Sequence, residues 1–324
     1  MTVGAALIGA TGMWAPRIAA AVERSSGLRL VTCHGRDEDK RRAFAAKHGI
    51  EAAESFEAAV EHPDVEAVLL ITPNDAHREQ ALACAERARH VFVEKPIADS
   101  VEAGEQMRDR FAEAALVLAV GHGMRRLGAA RKVKELLGEG ALGTVVLAEA
   151  NWSLRTRLTP AAWRWYRERA PGGPLLQLGV HHADTLAYWL GPVARSSGNF
   201  AHLALDAEID DVGVVSLEFE SGPLGVITGS YVSPRTYLLR LYGTEAVLEY
   251  EIDMAVWPHA DRADPASRLT LRTGEGAEPV EFEQRDPLAE ELDEFAAAIR
   301  GKAVPETGAD EGIAALRVIL DALP

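Results

Sequence analysis

Cysteine is scarce in this chain of 324 residues, which holds only Cys33 and Cys84. Two cysteines so far apart form neither a CxxC pair nor a metal quartet, and a chain of this length needs no covalent staple. That usage suits a reducing compartment, and no metal site is read from the sequence. Long apolar runs are missing too: none approaches the ~18 residues of a membrane span, and the N-terminus lacks the basic start of a signal peptide. The expectation is a cytoplasmic protein with no membrane partner. Positive charge is also in deficit, with 34 Lys and Arg against 49 Asp and Glu, a formal net charge of -15. Such a surface repels polyanions, and no basic tail offsets it, so nucleic acid is not expected as a partner.

What is present has the balance of a globular enzyme, with 48% hydrophobic and 26% charged residues. Single cores stop growing near ~250 to 300 residues, so the length predicts two domains. Over 1–121, short apolar runs such as "LRLVTC", "VEAVLLIT", "HVFVEK" and "LVLAVG" alternate with helical patterns. One of these helices, "DEDKRRAFAAKHG", begins with acids and ends in Lys47, His48 and Gly49, as the helix dipole and a C-terminal glycine cap favour. Strands buried on both faces with helices between them predict a doubly wound, Rossmann-type parallel sheet. Over 122–324 the pattern changes to an α+β domain. "VGVVSLEFESGPLGVITGSYV" and "YLLRLYGTEAVLEYE" read as hairpins of an open-faced, mainly antiparallel sheet. The stretch "DPLAEELDEFAAAIRGK" reads as a late helix, and the C-terminal helices have the option of packing back toward the first domain.

The first strand-to-helix turn, "IGATGMW", lacks the usual glycine spacing: Thr11 and Trp14 stand where the second and third glycines of GxGxxG belong. A second frame fits better, with Gly9, Gly12 and Ala15 spaced GxxGxxA. Pro16 is tolerated only in a helix's first turn, so the helix should not start before about residue 13. Thr11, Gly12 and Met13 then face a pyrophosphate at a positive helix end, and the Thr11 hydroxyl can donate to it. The alternative is a plain tight turn with no ligand. At the end of the second strand stands "HGRDED". NAD sites place an acid here and NADP sites an arginine. Arg36 favours NADP, with Asp37 read as the next helix's N-cap; the alternatives are that Arg36 pairs with neighbouring acids or that Asp37 reaches a ribose.

In "FVEKPIADS", Glu94, Lys95 and Pro96 end a buried strand, where open parallel sheets bind ligands. A lysine that snorkels to solvent is the structural alternative. The segment 151–170, "NWSLRTRLTPAAWRWYRERA", carries five arginines against one acid, a local charge of 5 − 1 = +4. Its Trp152 and Trp163 suit stacking on a sugar ring, and Arg155, Arg157 and Arg164 suit gripping a carboxylate or phosphate. Equally, these arginines suit a surface loop paired with acids of the C-terminal half.

Glu-Lys-Pro at 94–96, "TPNDAH" at 72–77, "GHGMRR" at 121–126, "APGGPLLQLGVHHAD" at 170–184 and "GTEAVLE" at 243–249 together resemble the Gfo/Idh/MocA oxidoreductases over nearly the whole chain. The resemblance implies an NAD(P)-dependent dehydrogenase or reductase acting on a sugar-like or cyclic polyol, and Arg36 is what favours NADP. It also implies a homodimer or homotetramer through the C-terminal sheet. Lys95 would be the catalytic lysine, His181 the residue exchanging a proton with the substrate oxygen, and Asp184 a neighbour orienting substrate or histidine. Thr72, Pro73, Asn74 and His77 would line the cofactor cleft, with Glu94 near the ribose. One position departs from the family: Gln177 stands where many members have aspartate, and an amide binds a hydroxyl without serving as a carboxylate base. Of His181 and His182, one is expected to be functional and one structural.

Two rival chemistries fail on residue types. No tyrosine has lysine four residues later, as a short-chain reductase needs, and neither cysteine is placed as a semialdehyde dehydrogenase nucleophile. A regulator that keeps the fold without turnover remains the alternative function.

Overall fold

The computed structural model of the chain describes residues 2–256 and 263–324. They fall into two compact units, residues 1–123 with 287–313 and residues 124–286 with 314–324.

The first unit is built on β1 (Val3–Ile8), β2 (Leu28–His34), β3 (Glu51–Ala52), β4 (Ala67–Leu70), β5 (His90–Glu94) and β6 (Leu118–Gly121). They form one parallel sheet in the order β3-β2-β1-β4-β5-β6, the strand order of a doubly wound dinucleotide fold. The intervening helices are α1 (Ala15–Arg24), α2 (Glu38–His48), α3 (Phe56–Val60), α4 (His77–Glu86) and α5 (Val101–Glu113). β1 and β4 are buried along their whole length, which is why their sequences run apolar without alternation. α2 ends as its sequence dictates. Asp37 accepts from the Lys40 N–H at 3.1 Å as the N-cap, and Gly49 takes the left-handed φ of 64°. α1 starts at Ala15 with Pro16 in its first turn, so the preceding loop is lengthened as the proline requires.

The second unit carries α6 (Gly128–Gly138), β7 (Val145–Ser153), α7 (Val180–Leu190), β8 (Val193–Ala201), β9 (Val212–Phe219), β10 (Leu224–Ser230), β11 (Thr236–Gly243), β12 (Val247–Ile252), β13 (Ser267–Thr273) and β14 (Gly276–Pro279). Its sheet runs β14-β13-β12-β11-β7-β10-β9-β8, and every pairing is antiparallel except β7 with β10. The two hairpins turn at Ser221-Gly222-Pro223 and at Gly243-Thr244-Glu245, where the sequence places them. Buried and outward residues alternate along β9 and β10, so one face packs inward and the other stays open.

Residues 122–324 do not form one continuous second domain. After the sheet the chain enters α8 (Pro287–Ile299), which belongs to the first unit, and then α9 (Ala309–Leu320), which spans the division between the two. The physical reason is α8's apolar face. Leu292, Phe295 and Ala296 join the core formed by β1, β2 and α1, and the Phe295 ring lies 5.9 Å from that of Phe92.

Candidate active site

In the first unit, the turn after β1 is drawn tight. Gly9 and Ala10 both donate their N–H to the His34 carbonyl, at 2.9 and 3.0 Å, and Gly12 donates back to Gly9 at 2.8 Å. Gly9 has φ of 103°, and a Cβ there would lie 2.9 Å from the Ile71 carbonyl oxygen, so only glycine serves. The N–H groups of Thr11 and Met13 have no backbone acceptor among the described residues, and α1 begins two residues further on. That is the donor arrangement an anion needs at a helix start. Thr11 also meets the end of β2, since a Cβ on Gly35 would come within 2.7 Å of its methyl group.

At that end Arg36 is exposed, while Asp37 caps α2 and is held below the usual carboxylate range chiefly by the Lys40 amide. Arg41, buried and given no role by the sequence reading, donates from Nη1 to the Gly35 carbonyl at 2.9 Å and holds the tip from beneath.

The ends of β4 and β5 are tied together by His77. Its Nε2 lies 2.9 Å from the Thr72 carbonyl oxygen and its Nδ1 3.1 Å from that of Pro96. Burial pushes its pKa down, so the ring is neutral and one nitrogen at a time donates. The ring is only 1% exposed, which corrects the expectation that His77 lines the cofactor cleft: it is a clamp on the chain around Pro73 and Lys95. Thr72 donates its hydroxyl to Gln80 at 2.6 Å. Asn74 is buried, and neither polar atom of its side chain has a hydrogen-bond partner among the described residues. A buried amide left so costs about 1–3 kcal/mol, which a ligand's hydroxyls would relieve. Glu94 is buried at the last position of β5, and burial pushes its carboxyl up to about 7 against the pull of the Lys95 and Arg17 charges. Lys95, next to it, is half-buried. The glycine cradle, the amides of Thr11 and Met13, the exposed Arg36 and the orphaned Asn74 side chain together fit a dinucleotide.

In the second unit, the Gly-Gly-Pro segment leads into a wide π-turn, Leu175–Gly179, and then α7. Gly173 has φ of 48°, and a Cβ there would strike the Asp210 carbonyl oxygen at 1.9 Å. The two histidines of α7 separate. His182 is fully enclosed, with a pKa pushed down to about 4 by burial, and its ring lies 5.8 Å from Trp152 and 5.0 Å from Tyr237. His181, at 9% exposure, packs its ring 5.1 Å from Trp152. Trp152 itself is 1% exposed, so the expectation that it stacks on a sugar is corrected: its faces are taken by the histidines and Tyr237, and it backs His181 instead.

Asp184 is corrected as a substrate contact: it is buried and receives Arg125 Nε at 2.8 Å and Nη2 at 2.5 Å, so both carboxylate oxygens hold a guanidinium. Arg125 lies inside the quoted "GHGMRR", but nothing local in the sequence marks its partner. The arginine-rich segment divides. Arg167 pairs with Asp210 at 3.0 Å, Arg155 and Arg157 are exposed, and Arg164 lies over the Trp163 ring at 4.6 Å while donating from Nε to the Gln177 amide oxygen at 3.1 Å.

Sheet order and turn define a doubly wound, dinucleotide-binding fold. Residues 3–122 match the family model described as an oxidoreductase family with an NAD-binding Rossmann fold, and residues 130–249 match the GFO/IDH/MocA C-terminal domain. The chain belongs to the Gfo/Idh/MocA family and is an enzyme. A 1,5-anhydro-D-fructose reductase of Ensifer adhaerens is 28% identical over 311 residues, 95% of this chain and 91% of that protein. A solved structure from Desulfitobacterium hafniense, provisionally assigned as an NADPH-dependent oxidoreductase, is 36% identical with a TM-score of 0.94, covering 99% of this chain and 94% of that one. An aldose-aldose oxidoreductase of Caulobacter crescentus, solved with glycerol, is 25% identical with a TM-score of 0.87, over 99% and 97% of the two chains. Among the described residues, no helix is long and apolar enough to cross a membrane.

Proposed function

We propose that this enzyme transfers a hydride between NADP(H) and an alcohol or ketone carbon of a sugar-like or cyclic polyol, in the cytoplasm. The observation that carries the reading is the end of β5, where Glu94 and Lys95 stand beside a chain segment clamped by His77. The substrates named for the Ensifer and Caulobacter proteins support the substrate class, and the cofactor named for the Desulfitobacterium protein supports NADP. Both cysteines are buried free thiols, in keeping with a reducing compartment.

Thr11, Gly12 and Met13 would hold the pyrophosphate, Arg36 the 2'-phosphate, and Thr72, Pro73, Asn74 and Glu94 the ribose and nicotinamide side. The nicotinamide, when bound, supplies or accepts the hydride. In the oxidation direction the carbinol loses that hydride from carbon and a proton from oxygen, and Lys95 takes the proton. His181 relays that proton to water, and the Trp152 ring fixes its orientation. In reduction the same groups return the proton. Gln177, Trp163 and the arginines Arg155, Arg157 and Arg164 hold the substrate.

The test is Lys95→Ala on a substrate turned over by the parent enzyme. The kcat should fall by about 100-fold or more, the share of acid–base catalysis, with NADP(H) binding by fluorescence near normal. His181→Ala should lower kcat less and move the pH profile. A Lys95→Ala enzyme with parental turnover sinks the mechanism. Gln177 in place of the family's usual aspartate favours a second reading, a nucleotide- or sugar-sensing regulator. It prevails if the parent binds cofactor and sugar and turns over neither sugars, sugar acids nor inositols.

A further inference from the structure

Arg164 is a half-buried cation in a chain of net charge -15, and its side-chain partners among the described residues are both neutral. Its Nε donates to the Gln177 amide oxygen at 3.1 Å, and its guanidinium carbon lies 4.6 Å from the centre of the Trp163 ring. Tyr231, which feels the Arg164 charge, is a phenol that burial pushes up to about 12 even so, and it stays neutral. The neighbouring Arg167 shows the contrast, because it is compensated by Asp210 at 3.0 Å. Half-buried guanidinium groups are ordinarily matched by a carboxylate, and the fork geometry is built for one. Gln177 leaves that match unmade: its amide has the shape of glutamate without the charge. With Nε committed to Gln177, both Nη groups remain to grip an anion end-on.

From this, we propose that Arg164 and Gln177 form a subsite that reads a carboxylate on the substrate, so that the natural substrate is a sugar acid rather than a neutral sugar. The inference rests on the oxidoreductase reading above and deepens it. Gln177 lies four residues before His181, and residues so spaced on a helix have side chains about 5–6 Å apart at Cβ. The π-turn of Leu175–Gly179 widens the spacing locally. A carboxylate held at Gln177 and a carbinol handled at His181 therefore belong to one monosaccharide-sized molecule, not to the ends of a long one. Trp163 braces the guanidinium and limits its rotamers, which keeps the fork in place for the incoming anion.

The experiment uses the full chain with NADP(H) and compares D-glucuronate and D-galacturonate with D-glucose, D-galactose, myo-inositol and D-glucose 6-phosphate, by steady-state kinetics and by calorimetric titration. The uronates should bind at least about tenfold more tightly than their neutral counterparts, the scale of one charged hydrogen-bond pair. Gln177→Glu places a carboxylate on Arg164 and should raise the uronate KM by about tenfold or more while lowering the ratio of neutral to acid KM. Arg164→Gln should act in the same direction. Arg164→Lys, which keeps the charge and loses the fork, should retain part of the preference. If Arg164→Gln does not fold, Gln177→Glu and Arg164→Lys carry the test. Equal affinity for acids and neutral sugars overturns the inference, as does a preference that survives Gln177→Glu, or a preference for the sugar phosphate. Turnover of neutral sugars without acid preference removes this inference alone. Absence of turnover on every substrate removes the oxidoreductase reading, and the titrations then still decide whether Arg164 and Gln177 select acids.

Discussion

Asp184 and Arg125, 59 residues apart, meet through two parallel hydrogen bonds of 2.8 and 2.5 Å, and both side chains are buried. The pair joins the segment before α6 to the middle of α7 and so fixes the helix that carries His181 and follows the π-turn of Gln177. Breaking one half strands a buried charge, which costs about 3–5 kcal/mol, whereas replacing both by apolar groups of similar volume is far milder. Arg125→Met should therefore lower the thermal midpoint sharply, and Arg125→Met with Asp184→Leu should recover much of it. Equal losses in the single and double variants would show that the pair is not what holds α7.

Cofactor choice turns on Arg36. The end of β2 offers an exposed arginine and no free acid, because the Asp37 carboxylate is engaged at the start of α2. NADP(H) should bind more tightly than NAD(H), and Arg36→Ala should cost NADP(H) about 1.5–3 kcal/mol and leave NAD(H) almost unchanged. Parallel titrations of the two cofactors decide it, with a strong NAD preference in the parent counting against.

Glu94 gives stability a pH dependence. Its native carboxyl is raised to about 7 by burial, above the ordinary value of 4.5, so the folded state holds a proton that the unfolded chain releases. The associated stability is fully present below the ordinary carboxylate range and is lost as pH rises through about 7. Glu94→Gln stays neutral throughout. In cofactor-free protein its stability relative to the parent should rise between pH 5 and pH 8, by about 1 kcal/mol or more, since each pKa unit is worth about 1.4 kcal/mol. Denaturation at the two pH values checks this; a difference that does not grow with pH would place the Glu94 charge in a solvated setting.

The open face of the second unit's sheet bears apolar residues where a solvated face would be polar. Leu224 is 57% exposed and Leu147, its cross-strand partner, 39%; Val214, also 39% exposed, lies on the same face through Thr228. We expect a second copy of the chain to cover this face in a homodimer or homotetramer. Leu224→Glu should shift the mass measured by sedimentation toward the monomer with the fold retained. A parent that sediments as a monomer at micromolar concentration would refute the assembly.

Most of the scaffold is written locally. Asp37, Gly49 and Pro16 each act within one helical turn of themselves, and the alternation along β9 and β10 is a property of adjacent residues, so cap, loop length and hairpins are all legible. The turn at Gly9 and Gly12 is legible for the same reason, despite its broken glycine spacing. The site is less so. Asp184 sits in a familiar segment, yet its role is set by Arg125, which no nearby pattern predicts. Trp152 and His77 are aromatic or polar residues whose types suit ligand contact, but burial is decided by distant chain: Tyr237 and α7 close over Trp152, and Pro96 closes on His77. The amphipathic sequence of α8 announces a helix and leaves packing back toward the first domain as an option, while the core it completes is set by residues far away in the chain.

That helix sets the order in which the protein can be finished. Phe295 and Leu292 complete a core begun by β1, so the cofactor-binding unit emerges from the ribosome with its hydrophobic layer unsealed while the whole of 124–286 is still being made. The sheet unit waits too, because residues 314–324, the last to be made, belong to it. A fragment ending before Pro287 would carry the complete turn and strand set of a dinucleotide fold and still expose Phe92 and its neighbours to water.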